Sequence, residues 1–150
     1  MHRIKNYVRV SDDIATSGQP AREDFAGIAD AGYAAVVNLA TGTSPDAIPD
    51  EGQAVSAEGM TYYHIPVAWT APELSDLDRF FSVMDSLRGK KVWIHCVVNM
   101  RASAFVYLYR LIELGVPEDE ARAPMDEVWE PDGIWRAFIE RAKESYAAGR

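Results

Sequence analysis

The sequence is poor in the features that mark special classes of protein. It has one cysteine, Cys96, among 150 residues, so an internal disulfide is excluded, which agrees with a reducing compartment, and the fold rests on apolar burial. No apolar run approaches the length of a membrane span, and the opening MHRIKNYVRV carries charge throughout instead of the apolar stretch of a secretion signal. Basic residues are in deficit. The 15 Lys and Arg against 23 Asp and Glu leave a net charge of −8 with no local basic patch, a balance that repels nucleic acid and anionic lipid. Repeats, low-complexity tracts and linkers rich in Gly, Ser or Pro are missing as well. His64 has no second histidine or cysteine at ligand spacing, so no metal site is expected. These absences point to a cytoplasmic chain whose residues 1–150 form one domain, with no nucleic-acid and no membrane partner.

What is present is the make-up of an ordinary globular domain, 48% hydrophobic and 25% charged, long enough to bury most of its apolar surface without staples. Residues 7–10 read as a short strand. Ser17-Gly18-Gln19-Pro20 reads as a turn whose proline starts a helix over 21–31, stopped at Gly32. The apolar run 34–39 suits a buried strand, and the stretch 41–49, punctuated by Gly and Pro, a loop. A helix over 50–58 and a strand over 61–65 follow. Leu74, Leu77, Phe80, Phe81, Met84 and Leu87 recur at helical spacing, which predicts an amphipathic helix over 73–87 closed by Gly89. Residues 91–95 form a further strand. The stretch 102–114 is apolar nearly all round and ends at Gly115, the mark of a helix buried against a sheet. Two more helices are expected, over 117–128 and 133–147. Strands alternating with helices at short spacing argue for an α/β fold: a three-layer sandwich with a mostly parallel central sheet of four to five strands flanked by helices. In such sheets ligands bind at the carboxyl ends of strands, and Cys96 stands at one of those ends.

The strand Val92-Trp93-Ile94-His95 and the CVVNMRASAF that follows carry the chemistry. Cys96 is delivered to a turn whose backbone N–H groups, from Val97, Val98, Asn99 and Met100 to Ala102, can converge on an anion, and the next helix adds the positive end of its dipole. Arg101, in the first turn of that helix, can lay its planar fork on the same anion. This field favours the thiolate, and a thiolate beside a bound oxyanion is a nucleophile in position. Alone, a cysteine is more often a small buried hydrophobe. A His-Cys pair ending an apolar strand, with an arginine close behind and a buried helix after it, favours the anion site. His95 can orient the loop near the sulfur or be a core histidine satisfied by backbone, and Ser103 can support the loop from the helix. Gln19 can reach a bound anion from a neighbouring loop, although SGQP is better read as a turn before a helix. Trp69, Trp129 and Trp135 are best read as packing.

On HCVVNMRAS above all, with SGQP at Ser17 to Pro20, the strand AAVVNLA and the segment YYHIPV at Tyr62 to Val67 as weaker signals, the sequence resembles the cysteine phosphatase superfamily. The likeness is to its compact dual-specificity and protein tyrosine phosphatase-like members, bacterial ones included. The resemblance implies a protein tyrosine phosphatase-like fold and hydrolysis of phosphate monoesters, such as aryl phosphates or phosphotyrosine, through a cysteinyl-phosphate. Cys96 would attack phosphorus, Arg101 would hold the phosphoryl oxygens, and an aspartate on a nearby loop would protonate the leaving group. It also implies no metal and no organic cofactor, and a phosphate-bearing substrate or small anion as partner.

Two features depart from that family's pattern. Four residues, not five, separate Cys96 from Arg101, and Ala102 follows the arginine where the family has serine or threonine. Four is the spacing of rhodanese-like sulfurtransferases, whose cysteine carries a persulfide, and the tighter loop encloses a smaller ring of N–H groups. Asn99 stands where glycine is common, and asparagine tolerates a left-handed backbone. The second departure is the acid, since Ala68-Trp69-Thr70-Ala71-Pro72 holds no carboxylate. Glu73, Asp76 and Asp78 come next, and Asp126, Glu130 and Asp132 lie far along the chain; Glu73 and Asp76 equally suit the first turn of a helix. Three readings stay open: a cysteine-dependent phosphatase, a sulfurtransferase with a persulfide on Cys96, and a catalytically impaired module that binds phosphate or a phosphorylated partner.

Overall fold

Short apolar runs of the chain become the strands of one sheet, and helices cover both of its faces. A computed structural model describes residues 3–149. Strands β1 (Val8–Arg9), β2 (Ile14–Ser17), β3 (Tyr33–Asn38), β4 (Thr61–His64) and β5 (Lys91–His95) lie in the order β1-β2-β5-β3-β4. β1 pairs antiparallel with β2, and the other pairings are parallel. The carboxyl ends of β2, β5, β3 and β4 therefore share one edge, with β5 and the Cys96 that follows it near the middle.

Alternation across the pleat splits each central strand between two apolar clusters. Val92 and Ile94 of β5 enter one and Trp93 the other; Ala35 and Val37 of β3 part from Val36 in the same way. Helices α1 (Asp24–Asp30) and α2 (Glu51–Ser56) bring Phe25, Ile28 and Val55 to the Trp93 face. Helices α3 (Leu74–Ser86), α4 (Met100–Leu108), α5 (Glu118–Asp126) and α6 (Gly133–Ala147) cover the other face. The outcome is the three-layer α/β sandwich that the strand and helix alternation predicts.

β2 is the strand that sequence pattern alone does not reveal. All four of its residues are buried, yet two are Thr16 and Ser17, which look like turn residues. Their hydroxyls are satisfied inside: Thr16 Oγ1 accepts from Asn99 Nδ2 at 3.0 Å and Ser17 Oγ from Trp93 Nε1 at 2.8 Å. Ser17 thus closes a strand instead of opening a turn. α1 begins at Asp24 rather than at 21, because the Asp24 carboxylate takes the Ala21 N–H at 2.8 Å and holds the preceding residues in a turn. The long buried helix starts at Met100 and, after Leu108, widens into a π-helical turn, Tyr109–Glu113, where continuous α-helix to 114 was expected. The other elements end within two residues of their expected bounds.

Candidate active site

Cys96 leaves the sheet with the backbone still paired on both sides. Its N–H donates to the Ser17 carbonyl at 3.3 Å, and the Leu39 N–H donates to the His95 carbonyl at 2.8 Å. The carbonyls of the next turn are drawn toward the N-terminal segment: Val97 O accepts the Gln19 N–H at 3.0 Å and Val98 O accepts from Asn6 Nδ2 at 2.9 Å. Gly18 bridges Val98 here, and a Cβ on Gly18 would stand 2.5 Å from the Val97 oxygen, so the approach requires glycine. With the carbonyls engaged on one side, N–H groups are left for the other. Among the described residues, none of the N–H groups of Val97, Val98, Met100 and Arg101 finds a hydrogen-bond acceptor. Ala102 directs its N–H at Cys96 Sγ, 3.4 Å away. Unpaired N–H groups around a sulfur at a helix N-terminus are what an anion satisfies.

Asn99 closes this turn with a φ of 75°, in the left-handed region, as asparagine permits. Its side chain is buried and donates from Nδ2 to the Asn6 carbonyl at 2.8 Å and to Thr16 Oγ1. It shapes the loop from behind instead of offering its amide to a ligand. Cys96 is 1% exposed and Arg101 7%, so the sulfur is well enclosed and the guanidinium is turned inward with it. Arg101 Nη1 donates to the Val67 carbonyl at 2.8 Å. That bond uses one of five guanidinium N–H groups and fixes the fork against the segment after β4.

Behind the loop lies a chain of buried polar contacts. His95 places Nδ1 at 3.2 Å from the Cys96 carbonyl and Nε2 at 2.6 Å from Glu51 Oε2. Gln19 Nε2 donates to Glu51 Oε1 at 2.8 Å and to the Pro20 carbonyl at 3.1 Å. The SGQP segment is thus more than a turn before a helix, and Gln19 meets the loop through its backbone while its side chain serves Glu51. Nothing in the sequence singles out Glu51, which is one of 23 acidic residues and sits in the first turn of α2, where an acid needs no other explanation. Tyr62, beside it on β4, accepts from Asn38 Nδ2 at 3.0 Å. Burial pushes the Tyr62 hydroxyl up to about 12, against the Asn38 bond and with the Glu51 charge adding to the rise.

The segment after β4 that holds Arg101 continues into an aromatic cluster. Trp69, 44% exposed, lies two residues past the Val67 carbonyl that holds Arg101, with its ring centroid 5.6 Å from those of Trp129 and Trp135. Trp135 Nε1 donates to the Trp69 carbonyl at 2.9 Å and Trp129 Nε1 to Ser103 Oγ at 3.1 Å. Trp135 packs as expected, whereas Trp69 stands open to solvent. Ser103, which also donates to the Met100 carbonyl, supports Trp129 and makes no hydrogen bond to the sulfur. Glu73 is exposed at the start of α3, where its N–H donates to the Asp76 carboxylate at 3.2 Å; Asp76 also accepts from Arg79 at 2.6 Å. Both acids therefore serve the helix start. Asp126 pairs with Arg122 at 3.2 Å and Asp132 precedes α6. Among the described residues, no group of three or more His, Cys, Asp or Glu side chains is placed to hold a metal ion.

The model of the family described as DSP-PTPase phosphatase fused to NAD+ kinase matches residues 6–142. A candidate phosphatase (DUF442) from Shewanella putrefaciens CN-32 is 35% identical and superposes with a TM-score of 0.87 over 97% of this chain and 95% of that one. The Beta-lactamase hydrolase-like protein of Xylella fastidiosa (strain Temecula1) is 28% identical over 119 residues, which are 77% of this chain and 27% of that protein. The chain thus spans about a quarter of the length of the curated relatives it matches. Tk-PTP in its active form shares the fold, at 19% identity and a TM-score of 0.76 over 97% of this chain and 98% of that one.

Proposed function

Since the chain belongs to the family of DSP-PTPase phosphatases fused to NAD+ kinase, within the cysteine phosphatase superfamily, we propose that it hydrolyses phosphate monoesters as one phosphatase-like unit, with Cys96 as nucleophile. Phosphoryl oxygens accept from the N–H groups of Val97, Val98, Met100 and Arg101, and the Arg101 guanidinium supplies charge and paired hydrogen bonds. The Cys96 thiolate attacks phosphorus, the P–O ester bond breaks, and the leaving oxygen departs with the electron pair and takes a proton from water. Water then attacks the cysteinyl-phosphate; the S–P bond breaks, sulfur recovers its electron pair and phosphate is released. In both steps charge sits on the equatorial oxygens that the N–H groups face.

The observation that supports this reading most is the one-sided pairing of the loop: the Val97 and Val98 carbonyls are engaged behind it while the neighbouring N–H groups are unpaired. Residues 65–72 contain no carboxylate, so weakly basic leaving groups such as phenols, which need little protonation, are the favoured substrates. Purified protein is expected to release nitrophenol from its phosphate ester and to lose that activity in Cys96→Ser. A folded wild-type protein that releases no phosphate from any aryl ester would remove the reading.

The four-residue spacing from Cys96 to Arg101 favours one alternative, a persulfide carried on Cys96. As the chain has no second cysteine, the sulfur would pass to an outside acceptor. Sulfur transfer from thiosulfate to cyanide, with the mass of Cys96 raised by one sulfur atom, would select it. Phosphate that raises the melting temperature without turnover of either kind would leave a binding module.

A further inference from the structure

The reaction as written makes no use of His95 and Glu51, yet their geometry constrains where protons lie. His95 is fully buried and Glu51 is 3% exposed, so a lone charge on either would be costly. Both ring nitrogens face oxygens, Nδ1 the Cys96 carbonyl and Nε2 the Glu51 carboxyl. A carbonyl only accepts, so attraction requires a proton on Nδ1. The short Nε2–Oε2 contact then needs a second proton, held by the ring as imidazolium facing carboxylate, or by the acid facing a neutral ring. In either arrangement the pair holds two protons and is neutral in sum.

The surroundings keep this pair in place and leave it few charged neighbours. Gln19 on the segment after β2 donates to Glu51 Oε1, a bond that both forms of the carboxyl accept, and Gln19 is itself held by Val97 O and Pro20 O. From α4, Arg101 is pinned to Val67. On β4 stands Tyr62, whose hydroxyl is neutral at ordinary pH, and Asn38 of β3 bonds to Tyr62 and to the Ala40 N–H. Asp50, next to Glu51 in the chain, is paired with Arg22 at the surface, His64 on β4 bonds to the Ala40 carbonyl, and the thiol of Cys96 directly follows His95.

We propose that Glu51 is a positioning residue for Cys96: it shares one proton with His95 Nε2, keeps Nδ1 protonated toward the Cys96 carbonyl, and lets the imidazolium form prevail while the sulfur is a thiolate. When the sulfur is neutral, the shared proton shifts to Glu51, with no net gain or loss by the pair. This rests on Cys96 being the nucleophile of the proposed reaction.

Two measurements on the full chain test it, and neither needs a substrate, so failure here is distinct from failure to hydrolyse phosphate esters. In NMR of the wild-type ring nitrogens, His95 Nδ1 is expected to carry a proton, and the Nε2 signal is expected to move toward the neutral-ring value in Cys96→Ser. Glu51→Gln keeps the shape and offers an N–H to Nε2, which accommodates a neutral ring and disfavours imidazolium. In that variant the thiolate absorbance, taken as the difference from the matching Cys96→Ser protein, is expected to appear at a pH about one unit higher. The melting temperature should stay near that of wild type. A bare Nδ1, or coincident thiolate curves with and without Glu51, would overturn the proposal. Should Glu51→Gln fail to fold, the ring signals of wild type and Cys96→Ser decide it alone.

Discussion

On the Cys96 side of the site, main-chain groups and buried polar side chains do the holding: Gly18 and Gln19 meet Val97 and Val98, Asn6 takes the Val98 carbonyl, and Asn99 is tied to Thr16. Across from it, residues 65–72 present a carbonyl to Arg101 and an open tryptophan ring, with no carboxylate among them. One wall depends on backbone conformation, held by hydrogen bonds at Val97, Val98 and Asn99. The other depends on which side chains it carries. On the proposed reading, anion binding and leaving-group protonation are separable, and each is expected to change without the other.

The largest effects should come from the first wall. Cys96→Ser is expected to abolish turnover of an aryl phosphate, and Arg101→Ala to lower kcat by about 10²–10³-fold, the range for removal of a group that stabilises developing charge. Steady-state kinetics on folded variants would check both, and an Arg101→Ala enzyme with wild-type kcat would break the comparison. The second wall should respond to gain of function. Thr70→Asp places a carboxylate on the acid-free segment and is expected to raise turnover of alkyl phosphates by about 10²-fold with much less effect on aryl phosphates. Equal gains for the two substrate types would show that protonation is not what this wall lacks.

Smaller effects concern the supports. Gly18→Ala should destabilise by about 1–3 kcal/mol, since the new methyl group collides with the Val97 carbonyl; denaturant titration reads this, and phosphate affinity should fall with it. Trp69→Ala should raise KM for aryl over alkyl phosphates by a factor equivalent to about 1 kcal/mol of lost ring contact. The last prediction concerns pH. Because the Tyr62 hydroxyl is raised from 10.0 to about 12, the folded state prefers its neutral form. That contribution is complete below pH 10 and is lost as pH rises toward 12. Tyr62→Phe should flatten the alkaline fall of the melting temperature in that window, with no change on the acid side.

The legible parts of the fold were those encoded by short-range pattern. Lys91–His95 and Gly133–Ala147 stand at the bounds expected of them. In the loop, Asn99 adopts the left-handed backbone that its residue type suggests. β2 was hidden because Thr16 and Ser17 are buried against side-chain donors 83 and 76 residues away, Asn99 and Trp93. Glu51 was hidden for the same reason, since its partners Gln19 and His95 lie 32 and 44 residues off. Ser103, expected to support the loop from the helix, donates to the Met100 carbonyl and accepts from Trp129, a pairing that depends on how α4 meets the chain between α5 and α6.

By itself, the order of residues determined that a cysteine would follow a buried strand and precede a buried helix, because alternation, glycine stops and the helix start are local properties of the chain. Only the tertiary structure decided which groups face that cysteine. Hydrogen bonds across the sheet edge turn the Val97 and Val98 carbonyls away, bury His95 against Glu51 and set Arg101 on Val67. Those pairings join segments far apart in sequence, and they exist only where the folded strands bring their carboxyl ends side by side.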